Sequence, residues 1–152
     1  MGLVVVETLI LAPAELAFDA ARDIDLHAET QAHAGERAVA GVTSGLIEMG
    51  QEVTFEARHF GLRLRHSARI TAFDRPRRFQ DTMIRGAFKS FVHDHSFEER
   101  ESGTLMIDRL ELRAPLWILG RFAEWLFLDR YLERLLRERG LLIKAHCEAQ
   151  AR

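Results

Sequence analysis

The sequence predicts an α+β domain in which a curved antiparallel sheet of about seven strands wraps around one long C-terminal helix, with two short helices after the first strand. Three observations carry that prediction. The middle of the chain, from Glu52 to Arg113, alternates apolar and polar residues with a period of two between short turns. The longest helix-patterned stretch follows it, from Leu116 to about Cys147. At 152 residues and 47% hydrophobic, the chain suits a single domain, 1–152, with one real core.

The elements follow in order. Leu3 to Leu11 is rich in β-branched and apolar residues and reads as a strand. Pro13 belongs in the first turn of a helix, where its missing N–H costs nothing, and Leu16, Phe18, Ala20 and Ala21 give that helix an apolar side. Asp23 or Asp25 caps a second short helix reaching about Ala34, and Gly35 breaks it. Strands are expected from Glu52 to His59, from Leu62 to Phe73 after a tight turn at Gly61, and from Phe79 to Arg85. Two more run from Phe88 to Glu99 and from Thr104 to Arg113. Pro115 ends the sheet. In the final helix Phe122, Trp125, Leu126, Leu132, Leu135 and Leu136 form the apolar side. Arg121, Glu124, Glu133, Arg134, Arg137 and Glu138 form the polar side, and Gly140 marks a kink or break. An isolated antiparallel sheet must cover its apolar face, and this helix is the only large cover the sequence offers.

Composition excludes several classes. A formal net charge of -2, from 21 basic and 23 acidic residues, gives no basis for binding nucleic acid. Arg63, Arg65, Arg69, Arg75, Arg77, Arg78 and Arg85 are dense, but they are expected on a solvated outer sheet face with Glu52 and Glu56 as cross-strand partners. The single cysteine, Cys147, forms no internal disulfide and reads as a minor helix residue near the chain end. The first residues lack a basic region and are interrupted by Glu7, so no signal peptide is expected. No apolar run approaches a transmembrane length, so no stable membrane insertion is expected and a cytoplasmic protein is. The apolar stretches Leu116-Trp117-Ile118-Leu119 and Trp125-Leu126-Phe127-Leu128 exceed what one sheet can cover, which points to the short helices or to a homodimer contact.

The period-two pattern also singles out a polar cluster. Phe91, His93, His95 and Phe97 share one strand face, and Thr104, Met106, Asp108, Leu110 and Leu112 share another. Phe79, Asp81 and Met83 travel together; His66 goes with Leu64 and Ala68, and His59 with Val53, Phe55 and Ala57. All these sets are the apolar ones, so six titratable residues point inward: His59, His66, Asp81, His93, His95 and Asp108. Four readings fit: a satisfied polar network, the polar end of a ligand site, a His–Asp acid–base pair, or a metal site built on His-x-His.

Two segments add a resemblance. They are Ala12-Pro13-Ala14-Glu15-Leu16-Ala17-Phe18-Asp19 and Ile70-Thr71-Ala72-Phe73-Asp74-Arg75-Pro76-Arg77-Arg78-Phe79-Gln80-Asp81. With them goes the stretch from Gly86 to Phe97, continuing through Gly103 to Asp108. The order of elements and these motifs resemble the START-like, Bet v 1-like superfamily, also called SRPBCC or helix-grip domains. The last stretch resembles a bacterial subgroup with the pattern G-P-F-x-x-W-x-H-x-H-x-F, except that Ala87 stands for the proline and Phe91 for the tryptophan. The likeness spans essentially the whole chain. It implies a hydrophobic pocket between sheet and helix, in a superfamily of lipid carriers, polyketide cyclases, chaperone activators and hormone receptors.

The resulting expectation is a module that binds a small hydrophobic molecule with a polar end. His59, His66, Asp81, Met83, Phe91, His93, His95, Phe97, Met106 and Asp108 line its site. Neither a cofactor nor a resident metal is expected, and no catalytic residue is assigned. The alternatives are a cyclase, dehydratase or hydrolase using a His–Asp pair, and a protein-interaction module with a filled cavity.

Overall fold

The computed structural model describes residues 2–115 and 122–152, without the side chains of 122–126. The first strand, β1 (Gly2–Ile10), leads into α1 (Ala14–Ala21) and α2 (Ile24–Thr30). Pro13 is the N-cap of α1 rather than its first-turn residue. Asp23 caps α2, its Oδ1 accepting from the amides of Asp25 at 2.9 Å and Leu26 at 3.2 Å. A short 3-10 turn, Ala32–Ala34, then ends at Gly35, whose φ of 65° is the left-handed conformation glycine adopts without strain.

Six strands follow: β2 (Arg37–Gly41), β3 (Glu52–His59), β4 (Leu62–Asp74), β5 (Arg78–Arg85), β6 (Ser90–Arg100) and β7 (Gly103–Arg113). They join β1 in one seven-stranded sheet of order β1-β7-β6-β5-β4-β3-β2. Every described pairing is antiparallel. Register shifts at Ala38/Ala40, Ser67/Ala68 and Ile70/Ala72 insert bulges, which bend strands and help the sheet curve. The strand β2 stands outside the strands the sequence marked; its five residues are too short and too rich in alanine and glycine to alternate visibly.

The long helix α3 (Phe122–Gln150) crosses the concave face. The expected helix start at Leu116, and the side chains of Phe122, Trp125 and Leu126, lie outside the described residues. The helix runs unbroken through Gly140. A Cβ there would stand 2.5 Å from Thr8 Oγ1, so the glycine lets α3 approach β1 closely. No helix among the described residues is long and apolar enough to cross a membrane.

Two apolar clusters make the core. One surrounds Phe18 of α1, whose ring meets Phe73, Phe79 and Phe97 edge-on at 5.3, 5.2 and 5.5 Å. The other gathers Val4, Val6, Leu110, Leu112 and Leu136. Cys147 belongs to the first cluster and is fully buried, a core residue rather than a minor one. Burial without an opposing charge partner pushes its thiol up to about 11.

On the outer face Glu52 pairs with Arg69, and Glu56 pairs with Arg65 at 2.8 Å and Arg37 at 3.3 Å, as the cross-strand pattern predicts.

Candidate functional site

The strands place the predicted residues through register alone. Across β5 and β6, Asp81 stands opposite His93, and Phe79 opposite His95. Across β6 and β7, His95 stands opposite Asp108, and Phe97 opposite Met106. Side chains that share a face on neighbouring strands meet within a few ångströms, so two histidines and two aspartates converge. On β7 the inward set Thr104, Met106, Asp108, Leu110 and Leu112 is buried at every position. Met106 lies in the cluster around Phe18 and Leu110 in the other, so Asp108 and its partners form a polar layer between two apolar masses.

His95 stands between two carboxylates. Its Nε2 meets Asp81 Oδ2 at 2.7 Å, and its Nδ1 lies 3.1 Å from Asp108 Oδ1. The second contact is off the N–H axis, leaving Nδ1 without a well-directed hydrogen bond, so it is ionic in character. An unprotonated nitrogen would point a lone pair at one of these anions; the imidazolium satisfies both. Burial opposes that charge, but the contacts with the anionic Asp108 and Asp81 outweigh it and raise the pKa of His95 above its ordinary value.

His93 differs. Its Nε2 lies 2.9 Å from Asp108 Oδ1, and its ring stacks on that of His95 with centroids 3.8 Å apart. Burial and the neighbouring imidazolium push it down to about 4, against the pull of Asp108. The stacked pair therefore takes one proton, not two, and neutral His93 donates from Nε2 while Nδ1 keeps a lone pair.

Both carboxylates are anionic. Burial pushes Asp81 up, but its bond to His95 and the charges of nearby histidines bring it far down. Burial likewise opposes Asp108, and the charge of Arg139 with the contacts from His93 and His95 hold it well below its ordinary value.

Arg139 is the residue that sequence reading missed. Its Nη1 donates to Asp108 Oδ1 at 3.1 Å and its Nη2 to the carbonyl of Ala21 at 3.0 Å, with the side chain 3% exposed. The signal was helical spacing: Leu132, Leu135, Leu136, Arg139 and Ile143 follow the i, i+3, i+4 pattern of one face. With His95 protonated, the cluster holds two cations, Arg139 and His95, against two anions, Asp81 and Asp108, and is electrically neutral.

The ten predicted residues divide into three groups. His95, Phe97, Met106 and Asp108 are deep, between 0% and 4% exposed. His66, Asp81, Met83 and Phe91 face inward yet stay partly exposed, and His93 lies at their border. His66 meets Phe91 edge-on at 4.8 Å, and burial lowers its pKa despite Asp81, so it is neutral. Gly86 makes room here, since a Cβ on it would come within 2.7 Å of Met83 Sδ and 3.2 Å of His66 Nδ1. His59 stands apart at the β3–β4 hairpin, its Nδ1 bonded to the Tyr131 hydroxyl at 2.5 Å. Two concavities among the described residues, of about 220 and 270 Å³, include none of the ten.

Asp81, His93 and His95 each offer a ligand atom within 4.8 Å of the others, close enough for a metal ion. The ring geometry opposes it. The planes of His93 and His95 are stacked at 29°, so their in-plane lone pairs run nearly side by side instead of converging, and His95 nitrogens already face carboxylates. What the cluster can do is present acceptors. Asp81 keeps Oδ1 without a hydrogen bond among the described residues, and His93 keeps Nδ1.

Solved structures share this architecture. The protein TTHA0849 from Thermus thermophilus superposes with a TM-score of 0.70 at 19% identity, covering 95% of this chain and 99% of that one. Protein Ms6760 from Mycobacterium smegmatis gives 0.69 at 18% identity, over 97% and 92%. The ginseng major latex-like protein 151 from Panax ginseng gives 0.67 at 16% identity, over 96% and 97%. No protein-family model matches the sequence, and no curated protein matches it.

Proposed function

Given its Bet v 1-like helix-grip fold, we propose that this chain binds a small hydrophobic molecule with a polar end, held between the concave sheet and α3. One observation carries the reading. His66, Asp81, Met83 and Phe91 point to the side where a core belongs, yet none of them is fully buried. A wall of apolar side chains interrupted by a few oriented polar groups is the usual make-up of a small-molecule site. Leu64 and Phe88, also partly buried, extend the apolar part. In this reading Asp81, His66 and His93 meet the ligand. His95, Asp108 and Arg139 fix their positions from below, and Phe97 and Met106 form the floor.

Native mass spectrometry of protein purified without added ligand tests the proposal. An adduct of small-molecule mass that disappears on denaturation supports it. A bare chain that also leaves the fluorescence of the neutral apolar dye N-phenyl-1-naphthylamine unchanged overturns it.

A further inference from the structure

We propose that the polar end of the ligand is a hydrogen-bond donor, a hydroxyl in the simplest case, and that the site rejects a carboxylate. The inference rests on the ligand-binding reading above and narrows its chemistry.

The argument is one of charge and lone pairs. A site for a fatty acid or another carboxylate needs an unneutralised cation or several free N–H groups facing the ligand. The described residues of this wall supply no unneutralised cation and a single free N–H, that of neutral His66. Arg139 donates to Asp108 and to the Ala21 carbonyl and is buried beneath them. His95 lies between Asp81 and Asp108 at 2.7 and 3.1 Å. His93 points Nε2 at Asp108, and its face lies on His95, which disfavours a second proton there.

What else remains open is of the opposite kind. The Asp81 side chain is 22% exposed, more than any other member of the cluster, and only its Oδ2 is bonded. Its Oδ1 is therefore the most accessible acceptor, and it belongs to an anion. The free Nδ1 of His93, on the residue facing Asp81 across β5 and β6, is a second acceptor. A hydroxyl can donate to either. A carboxylate would meet Asp81 as a like charge in a half-buried site, where repulsion is weakly screened. An ester, which only accepts, could take the His66 N–H but would leave both acceptors desolvated and unpaired.

Displacement of N-phenyl-1-naphthylamine from the intact protein by 1-decanol, methyl decanoate and sodium decanoate tests this. The chains match in length and differ at the polar end. The alcohol is expected to displace the dye at a concentration about tenfold lower than either of the others. Asp81→Asn, which removes the charge and keeps an oxygen, is expected to improve decanoate severalfold and to narrow its gap to the alcohol. Dye that binds and is displaced as well by decanoate as by decanol overturns the donor inference and leaves the binding proposal standing. A protein that binds neither dye nor any of the three compounds overturns both.

Discussion

Asp108 has no solvent contact, and one of its two oxygens carries all its partners. Oδ1 receives His93, His95 and Arg139, while Oδ2 has none among the described residues. Removing one partner of a buried charge costs far more than the pair's net worth, because the other charge is left in a medium that cannot solvate it. Arg139→Leu is therefore expected to lower unfolding free energy by about 3–5 kcal/mol in urea titrations. Asp108→Asn combined with Arg139→Leu should cost clearly less than the two single changes added together, since neither then strands a charge. Strict additivity would show that the two side chains are not coupled. At this scale the sequence was half legible. His93, His95 and Asp108 were found because a strand's period of two assigns each residue a face without knowing its neighbours. Arg139 was not, because a long cationic side chain on a helix is assigned to solvent unless something tells which carboxylate lies beneath it. That fact lives on β7, remote in sequence.

Among the elements, α3 depends on a residue that weakens it as a helix. Gly140 costs about 1 kcal/mol of helix propensity relative to alanine, yet Thr8 of β1 leaves no room for a methyl group. Thr8 is β-branched and stiff, so it cannot swing its oxygen aside cheaply. Gly140→Ala is expected to lower the unfolding midpoint, and in a Thr8→Ala background the same change should raise stability by about 0.5–1 kcal/mol. A single mutant more stable than the parent would show that the contact yields. A mid-helix glycine reads from sequence as a break, because the reason for it lies on another element. By contrast β6 and β7 were readable almost residue by residue: buried and less buried positions alternate from Val92 to Phe97 and from Gly103 to Arg113, which leaves one register that buries the right side. The short edge strand β2 had no such contrast to reveal it.

For the whole molecule, the polar layer ties stability to pH in two opposite ways. His93 is pushed down to about 4 from an ordinary 6.5, so between those values the unfolded chain binds a proton that the folded one refuses. Stability is lost as pH falls through that window, and the depressed Asp81 and Asp108 extend the loss at still lower pH. His95 acts the other way. Its raised pKa gives stability that is full below 6.5 and is lost as pH rises through the folded value. Maximum stability is expected near pH 6.5, with a decline on each side. His93→Gln should flatten the acid decline between pH 4 and 6.5 in urea midpoints measured at successive pH values. An acid limb of unchanged slope would mean that His93 does not govern it.

The pairing of β1 with β7 has a consequence in time. Gly2 lies opposite Leu112, so β1 finds its partner only after every other strand of the sheet has been made. Until then the apolar Val4 and Val6 lack the Leu110 and Leu112 they pack against, and α3, which crosses β1, has not been made. Every other pairing in the sheet joins strands next to each other in sequence. Assembly is thus ordered by loop entropy: the meander from β2 to β7 can form first, and β1 closes last at the greatest entropic cost. A growing chain carries its first strand as an unmatched adhesive edge for most of its synthesis, which makes the N-terminal segment the part most in need of protection while the protein is being made.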